Sequence, residues 1–454
     1  MVTILDKDGL ESFKQRLDTT ETILIPIFTD EVAHPCNNRL SLLYVRFFGN
    51  GDEYVIPYDH SEATPLNESF DGRMNKFVLN RKALRHHLPL SKVIDINLLQ
   101  YVDSGVPTTL CLGDTKAHSL IKRNFPNYRN LNRIIPLSKH VEACRVLSSK
   151  MQEVVEKYRL NLDDPAFQFL NFSATDVFQQ IERSGIHVEK TSHRPEFTRH
   201  ISDANLMYSE YNFFTTTGRP SNRFGGVNFA AMNKEDGSRA ALTSRFGKDG
   251  LMVLIDYDAY HLRLIAELIG FKFPPGNVHE YLGKMYFNTE TLTKEQYEES
   301  KRLSFHMLYG GIQDEYKHVP FFAEVQKFVD YLWTTFSERG YIVSPIGQRK
   351  LYKENMFGMH PQKLFSYLIQ LHETEHNVMT LERVLPMFYE RDSKIVLYTY
   401  DSFLIDIDTS KPDWFDFLAK VKKALECENT YPTKVYSGYN YHEMTNVTDR
   451  FHIR

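Results

Sequence analysis

Residues 251–269, LMVLIDYDAYHLRLIAELI, constrain the fold strongly because their hydrophobic pattern changes period at an aspartate. The run up to Ile255 is apolar, which is typical of a buried β-strand. Beyond Asp256 the apolar side chains recur at helical spacing, at Leu262, Ile265, Ala266 and Ile269. A strand that passes directly into a helix leaves the Asp256 carboxylate at the strand end.

A second carboxylate has a comparable position in residues 395–407, IVLYTYDSFLIDI. Asp401 lies between two alternating apolar segments, and a tight hairpin there would lift it to the rim of a sheet. Two such carboxylates in one sheet could hold two Mg²⁺ ions about 3.5 to 4 Å apart, the geometry of nucleotidyl transfer. The simpler alternative is that each aspartate is a solvated turn or helix-capping residue.

A third feature is the segment KRLSFHMLYGG, residues 301–311. Lys301, Phe305 and Tyr309 follow one another at steps of four and drift only about 40° per step, so they share one helix face. The ammonium can neutralise phosphate, the two rings can stack on a base or sugar, and the following glycines allow a strand to pass closely. The alternative is an aromatic stripe that belongs to the core.

A basic loop precedes these elements in TTTGRPSNRFGGVNFAAMNK, residues 215–234. Arg219, Arg223 and Lys234 stand there among glycine and asparagine, a composition suited to following a phosphate backbone. A solvated charged loop is the alternative.

Taken in order, these segments resemble the motifs of family A DNA polymerases, the bacterial polymerase-I-like group. TTTGRPS is similar to T-x-T-G-R-L-S, LIDYDAYHLRLIA to D-Y-S-x-x-E-L-R, ESKRLSFHMLYGG to the fingers helix K-x-x-x-F-x-x-x-Y-G, and YTYDSFLID to the H-D-E motif. NVHEYLGKMYF, QKLFSYLIQ and SGYNYHEM resemble shorter family segments. The resemblance spans residues 176–454.

The resemblance implies roles for individual residues. Asp256 and Asp401 would be the catalytic metal ligands, joined by the backbone carbonyl of Tyr257, for two Mg²⁺ ions with Mn²⁺ as a substitute. The expected nucleotide contacts are Lys301 and His279 at the triphosphate, Phe305 and His261 at the sugar and base, and Tyr309 at the nascent pair. The expected DNA contacts are Arg219, Arg223, Lys234 and Gln370.

Three positions depart from the family pattern. His261 replaces the glutamate that blocks the space beneath the sugar 2′ position, which bears on ribonucleotide discrimination. Tyr297 stands where the fingers helix usually has an arginine, so Lys294 or Arg302 would have to supply that phosphate contact. Ser402 replaces an auxiliary carboxylate, while the principal carboxylate is retained.

The N-terminal region resembles the family's 3′–5′ exonuclease domain but lacks its carboxylates. Residues 26–29 (PIFT) occupy the D-x-E position, and Asn80 and His140 fall where aspartates belong. Without paired carboxylates a two-metal hydrolytic site cannot form, so we expect no proofreading. A shifted nuclease site is still possible at Asp30, Glu31, Asp59 and Asp95.

The short connection from Val188 to Gly218 implies a reduced thumb and low intrinsic processivity.

Composition sets the remaining limits. The chain has 454 residues, 42% of them hydrophobic and 25% charged, which is typical of a folded globular protein, and its net charge of −4 gives no overall case for nucleic-acid binding. The four cysteines form no CxxC pair, and no basic leader or roughly 20-residue apolar run is present. We therefore expect a cytoplasmic, monomeric protein without a membrane segment, in the bacterial host if the chain is phage-encoded.

The resemblance implies an α/β (α+β) right-hand polymerase fold, with an antiparallel palm sheet, helical fingers, a short thumb and an RNase H-like α/β domain. The predicted boundaries are 1–150 for the exonuclease-like domain, 151–218 for thumb and palm entry, 219–276 for palm, 277–355 for fingers and 356–454 for palm.

The implied function is template-directed addition of dNTPs to a primer 3′ end, with primer-template DNA and a processivity factor or single-strand binding protein as partners. A single-subunit RNA polymerase-like or ribonucleotide-tolerant enzyme, and a non-catalytic nucleic-acid binding protein on the same scaffold, are the alternatives.

Overall fold

The computed structural model describes residues 2–108, 110–111, 130–189 and 200–451. The chain forms two compact units, one comprising Met1–Gly185 and His193–Tyr208 and the other Ile186–Ser192 and Ser209–Arg454. The helices that precede Gly185 belong to the first unit, which therefore extends beyond the boundary predicted at residue 150. Part of the connection predicted as a reduced thumb, residues 190–199, lies outside the described residues.

The first unit is built on a six-stranded mixed sheet of order β1-β4-β3-β2-β5-β6. Strand β3 pairs antiparallel with both β2 and β4, whereas β1 pairs in parallel with β4, and β5 pairs in parallel with both β2 and β6. The strands are β1 (Val2–Ile4), β2 (Thr22–Phe28), β3 (Leu40–Phe47), β4 (Glu53–Pro57), β5 (Lys76–Val78) and β6 (Val93–Asp95).

Helices cover this sheet and begin at polar caps. Asn80 accepts the Ala83 N–H, and Asp95 accepts the N–H groups of Asn97 and Leu98. The helices are α1 (Leu10–Leu17), α2 (Arg81–Arg85), α3 (Ile96–Ser104), α4 (Leu137–Tyr158), α5 (Pro165–Gln168) and α6 (Thr175–Ser184), with a π-helical segment (Phe169–Ala174) joining the last two.

The second unit contains a five-stranded antiparallel sheet of order β15-β16-β12-β17-β18, which carries both predicted catalytic aspartates. Its central strand, GLMVLIDY, is largely buried, and β16 and β17 pair with its two edges. The remaining strands after β6 are β7 (Ile186–His187), β8 (Leu206–Met207, in the first unit), β9 (Tyr211–Asn212), β10 (Ser221–Phe224), β11 (Val227–Asn228), β12 (Gly250–Tyr257), β13 (Tyr341–Val343), β14 (Lys350–Tyr352), β15 (Lys394–Tyr398), β16 (Ser402–Asp408), β17 (Thr433–Gly438) and β18 (Thr445–Asn446).

The helices of the second unit are α7 (Tyr260–Ile269), α8 (Val278–Phe287), α9 (Lys294–Gly310), α10 (Pro320–Arg339), α11 (Pro361–Val384) and α12 (Trp414–Leu425). The long helix α11 contacts α7, α9, α10 and α12, and its buried residues join one core with those of α8 and α9. Among the described helices, none is both long enough and apolar enough to cross a membrane.

Candidate active site

The two aspartates predicted from the sequence lie at the same rim of one sheet, Asp256 on β12 and Asp401 in the hairpin directly before β16. Asp256, near the end of β12, stands opposite Ser402, the first residue of β16. The backbone N–H of Tyr257 donates to the carbonyl oxygen of Asp401 at 2.9 Å. The main chain therefore holds Asp256 and Asp401 side by side at the rim of the sheet.

Asp401 projects from a tight hairpin between β15 and β16. Tyr400 adopts a left-handed conformation with φ of 68°, and the Asp401 N–H donates to the Thr399 carbonyl at 2.9 Å. The Asn377 amide of α11 donates to the Tyr400 carbonyl at 2.7 Å. The hairpin tip is thus fixed to a buried helix, and Asp401 itself is exposed.

The electrostatics of the pair favour a cation. Burial and then the charge of Asp401 raise the pKa of Asp256 to about 7. Although Asp401 is exposed by surface area, partial desolvation of its carboxylate and then the charge of Glu373 raise its pKa. Burial and neighbouring negative charge oppose ionisation of both carboxyl groups. A bound cation would therefore stabilise their charged forms.

The donor set fits Mg²⁺ or Mn²⁺ bound together with substrate phosphates. Hard carboxylate oxygens suit these ions, and Mg²⁺ commonly uses one or two protein carboxylates while phosphates and water complete its shell. No group of three or more His, Cys, Asp or Glu side chains that could hold a metal occurs among the described residues. A site at Asp256 and Asp401 would therefore depend on substrate oxygens.

The backbone beside the pair is firmly held. The Tyr257 ring stacks on Tyr260 with centroids 4.2 Å apart, and its hydroxyl donates to the Leu425 carbonyl at 2.8 Å. The Tyr257 carbonyl as a metal ligand stays a prediction.

Two charged residues near the pair escaped the sequence analysis. Lys434 on β17 stands opposite Asp256, and its ammonium lies 2.5 Å from the carboxylate of Asp258. The positive charges of Lys234 and Lys434 oppose the upward shift in the pKa of Asp256. In the sequence, the only indication was a lysine within the strand TKVYSG. A lysine in a strand does not by itself show that Asp258 is its partner.

Helix α9 presents the predicted face. Thr293 begins the helix in a capping box with Gln296, and the opposite face buries Ser300, Ser304, Met307 and Leu308. The Phe305 and Tyr309 rings are stacked, with centroids 6.3 Å apart and planes 10° apart, and Phe305 is 45% exposed. An aromatic ring left this exposed on a rigid helix is a surface for stacking rather than a core residue.

Lys301 lies one turn before Phe305 on the same face. Its ammonium is 4.3 Å from the centre of the Tyr297 ring and 3.1 Å from a Glu298 carboxylate oxygen. Tyr297 accepts a hydrogen bond from Asn277, the residue that caps α8. The tyrosine found in place of arginine therefore supports the lysine and joins two helices.

His279 is a neutral, buried imidazole near this face. Burial lowers the pKa of His279 to about 4, with the nearby Lys301 acting in the same direction. Its ring centre lies 6.2 Å from that of Phe305, and its Nδ1 atom has no hydrogen-bond partner among the described residues. The ring can offer a hydrogen bond to a ligand but no charge at neutral pH.

A buried carboxylate that the sequence analysis missed organises the other side of the site. Glu373 on α11 is fully buried, and one carboxylate oxygen accepts from Arg219 at 2.6 and 2.8 Å. Its other oxygen lies 2.8 Å from Nε2 of His261, whose Nδ1 is hydrogen-bonded to the hydroxyl of Tyr309. The Arg219 guanidinium also lies 4.1 Å from the centre of the Tyr400 ring. Glu373 thus links four predicted motifs.

The other predicted DNA contacts lie apart from this network. Arg223 and Lys234 are exposed, and the amide of the half-buried Gln370 donates to Ser366 Oγ at 3.0 Å. Their roles stay predictions.

The carboxylates considered for a shifted nuclease site in the first unit have structural partners. Asp59 pairs with Arg39 at 2.8 Å and Arg133 at 2.6 Å. Asp95 caps α3, and burial raises its pKa to about 6. Asp30 accepts from the Val32 N–H.

The chain matches known proteins in its three-dimensional structure but not in its sequence. No protein-family model and no curated protein sequence matches the chain. Among solved structures, the chain is similar to the POL domain of Pol1 from M. smegmatis in complex with DNA primer-template and dNTP, with a TM-score of 0.67 and 13% sequence identity. The match covers 97% of this chain and 99% of that chain. The chain therefore has the mixed α/β fold of a polymerase domain.

Proposed function

We propose that the chain is a template-directed DNA polymerase of the family A type that adds dNTPs to a primer 3′ end. The observation that carries the proposal is the pair Asp256 and Asp401 at one sheet rim, each with a raised pKa. The similarity in fold between this chain and a polymerase domain bound to primer-template and dNTP supports the same proposal.

Asp256, Asp401 and the Tyr257 carbonyl would hold two Mg²⁺ ions. When bound, such ions activate the attacking oxygen and neutralise charge on the phosphates. The protein supplies the rigidity, since the hairpin is hydrogen-bonded both to β12 and to α11. Catalysis of phosphoryl transfer depends mainly on this kind of positioning and charge stabilisation.

The nucleotide would lie against helix α9. Lys301 would neutralise triphosphate charge, and the neutral His279 would donate a hydrogen bond. The parallel rings of Phe305 and Tyr309 would support the flat base. Formation of this complex requires Lys301 to exchange its half-exposed contact with Glu298 for phosphate, which costs little because exposed ion pairs are weak.

The primer-template would be held by Arg219, Arg223, Lys234 and Gln370. Arg219 is fixed by Glu373 and Tyr400, so its guanidinium loses little freedom on binding. His261 would face the sugar, with both ring nitrogens already occupied by Glu373 and Tyr309. An imidazole held in this way would limit the space for a 2′-hydroxyl, and its position would depend on the Glu373 carboxylate.

We further propose that the first unit does not proofread. The residues at the D-x-E position belong mostly to β2, and Asn80 and His140 serve as a helix cap and a buried hydrogen-bonding group. A primer with a mismatched 3′ end tests this directly. Release of the mismatched nucleotide in the presence of Mg²⁺ or Mn²⁺ would contradict the proposal.

Primer extension tests the main proposal. A labelled hairpin template is incubated with Mg²⁺ and dNTPs, and wild type is compared with Asp256→Ala and Asp401→Ala. Each variant should lose about a thousandfold in rate or more, because metal-assisted charge stabilisation contributes several kcal/mol. Asp392→Ala is the matched control, since this exposed carboxylate precedes β15 at the other end of the same hairpin.

The same experiment, repeated with rNTPs and with Mn²⁺ in place of Mg²⁺, distinguishes the proposed DNA polymerase from the alternatives. Extension with rNTPs as well as dNTPs would assign a ribonucleotide-tolerant or RNA polymerase-like activity to a chain with His261. Hairpin binding without extension by wild type under either metal would favour a non-catalytic binding protein. Long products from single binding events would contradict low intrinsic processivity.

A further inference from the structure

A thiol, an imidazole and a carboxylate form a hydrogen-bonded line in the first unit. The Cys36 Sγ atom lies 3.2 Å from Nδ1 of His86, and Nε2 of His86 lies 3.3 Å from Oε2 of Glu182. The side chains of His86 and Glu182 are buried, whereas Cys36 is partly exposed. Each ring nitrogen therefore has its own partner, and the sulfur is the end of the line nearest to solvent.

The three residues come from separate elements that fix their positions. Cys36 is in a 3-10 turn (Pro35–Asn37), and its N–H donates to Nδ1 of His34 at 3.1 Å. His86 follows α2 directly, and Glu182 belongs to α6. This spacing of about 50 and 100 residues explains why no sequence motif announces the group.

The carboxylate is ionised and anchored. Burial alone would raise the pKa of Glu182, but the ammonium of Lys82, 2.5 Å away, and the His86 hydrogen bond lower it to about 2. A fixed carboxylate that accepts from Nε2–H selects the tautomer in which Nδ1 is free to take a proton.

Cys36 is one of the residues that line a polar cleft of about 480 Å³ within the same unit. The walls include Thr29, Asp30, Asn38, Arg39, His200 and Asp203, together with Cys36. The cleft has room for a small molecule beside the partly exposed Cys36, while the His86 side chain remains buried.

The thiol is held protonated at rest. Burial and then the charge of Glu182 raise the pKa of Cys36 to about 12. Such a sulfur attacks only when a neighbouring base removes its proton during the reaction, and His86 Nδ1 has the required contact. The arrangement of nucleophile, base and orienting carboxylate is that of a nucleophilic triad.

We propose that Cys36, His86 and Glu182 form a second reactive site, at which the Cys36 thiol exchanges with small disulfides. His86 takes the thiol proton as Cys36 sulfur forms a bond to one disulfide sulfur. The original S–S bond breaks, and the leaving thiolate receives the proton from the imidazolium. One disulfide and one thiol yield one mixed disulfide and one thiol, so no further oxidant is needed. The site is independent of nucleotidyl transfer.

Other charged and titratable groups near the site also affect how the exchange rate depends on pH. They are His34 in the turn, Lys82 on α2, the neighbouring His87, and Glu182 and Arg183 on α6. The Gln179 amide also lies 3.4 Å from His86 Nδ1, a longer contact than that of the sulfur.

Site-resolved thiol labelling of the full chain tests the proposal. The protein is treated with 2-hydroxyethyl disulfide, quenched, and digested, and mass spectrometry gives the reaction rate at each cysteine. Exposed Cys111 is the internal reference, and buried Cys144 reports any labelling that occurs through unfolding. At pH 7, Cys36 should react about tenfold faster than Cys111, the size of a modest general-base effect.

Two variants and a pH profile distinguish activation from accessibility. His86→Asn and Glu182→Gln should each lower the rate at Cys36 about tenfold relative to Cys111 in the same molecule. In wild type, the rate at Cys36 should reach a plateau as pH rises, while that at Cys111 continues to rise. A rate at Cys36 below that of Cys111, or one that follows the thiolate profile of Cys111, overturns the proposal even if a variant fails to fold.

Discussion

Replacing Asp256 by asparagine should make the metal-free protein more stable at neutral pH. The folded protein raises the pKa of this carboxyl from 3.8 to about 7 through burial and the adjacent Asp401. A difference of about three pKa units corresponds to about 4 kcal/mol at 1.36 kcal/mol each. Since Asp256 retains partial solvent contact, screening reduces the expected gain in unfolding free energy to about 1–2 kcal/mol.

The raised pKa also determines how the stability of the wild type changes with pH. The folded state binds the proton of Asp256 more tightly than the unfolded state, so the wild type loses stability as pH rises from about 4 to about 7. The asparagine variant lacks this loss. Urea unfolding in EDTA, followed by circular dichroism, should therefore give similar midpoints near pH 4 and a growing advantage for the variant up to pH 7, constant above it.

Mg²⁺ and a neighbouring aspartate provide the controls. Mg²⁺ should stabilise the wild type and narrow the gap, because the variant has lost one ligand. Asp258→Asn should instead lower stability by about 0.5 kcal/mol, since its carboxylate is paired with Lys434. An Asp256→Asn variant that is no more stable than wild type at pH 8 in EDTA would refute the reasoning about the carboxylate pair.

Three further changes test the remainder of the site. Glu373→Gln should lower the unfolding free energy by about 3 kcal/mol, measured in urea, because it removes the buried charge that pairs with the partly buried Arg219 guanidinium; an unchanged midpoint would contradict this. Phe305→Ala should raise the KM for dNTP with little change in melting temperature, whereas Met307→Ala on the buried face should cost about 2–5 kcal/mol of stability; equal stability losses would place Phe305 in the core. Lys301→Ala should weaken dNTP binding about tenfold or more in single-turnover extension, whereas Lys327→Ala, on an exposed lysine of α10 paired with Glu324, should not; equal effects would indicate only general charge.

The parts of the site that the sequence predicted are those that depend on local patterns. The change of hydrophobic period at Asp256 fixes where β12 ends and α7 begins, and the alternation around Asp401 fixes the hairpin. The step of four from Lys301 to Tyr309 fixes the half-exposed face of α9. In each case neighbouring residues alone determine the geometry, so one sequence is sufficient.

The parts that escaped prediction depend on pairing between distant elements. The ion pair of Asp258 with Lys434 joins residues 176 positions apart, and the contact of Cys36 with His86 joins residues 50 apart. Neither partner carries a local signal, because a lysine in a strand or a histidine after a short helix is usually an ordinary surface or core residue. Only the packing of strands and helices brings these groups together.

Glu373 shows how tertiary packing changes the meaning of a sequence departure. From the sequence, His261 is simply the loss of an expected glutamate beneath the sugar. In the structure, Glu373 approaches from α11 and its carboxylate lies 2.8 Å from the imidazole, which in turn contacts Tyr309. A carboxylate is therefore present beside His261, joined to it by a hydrogen bond and shared with Arg219. Positions 261 and 373 form one unit, because a carboxylate at 261 would face the buried carboxylate of Glu373 without a proton between them. The consequence for the proposed reaction is that sugar selection and the hold on the primer-template depend on the same buried charge.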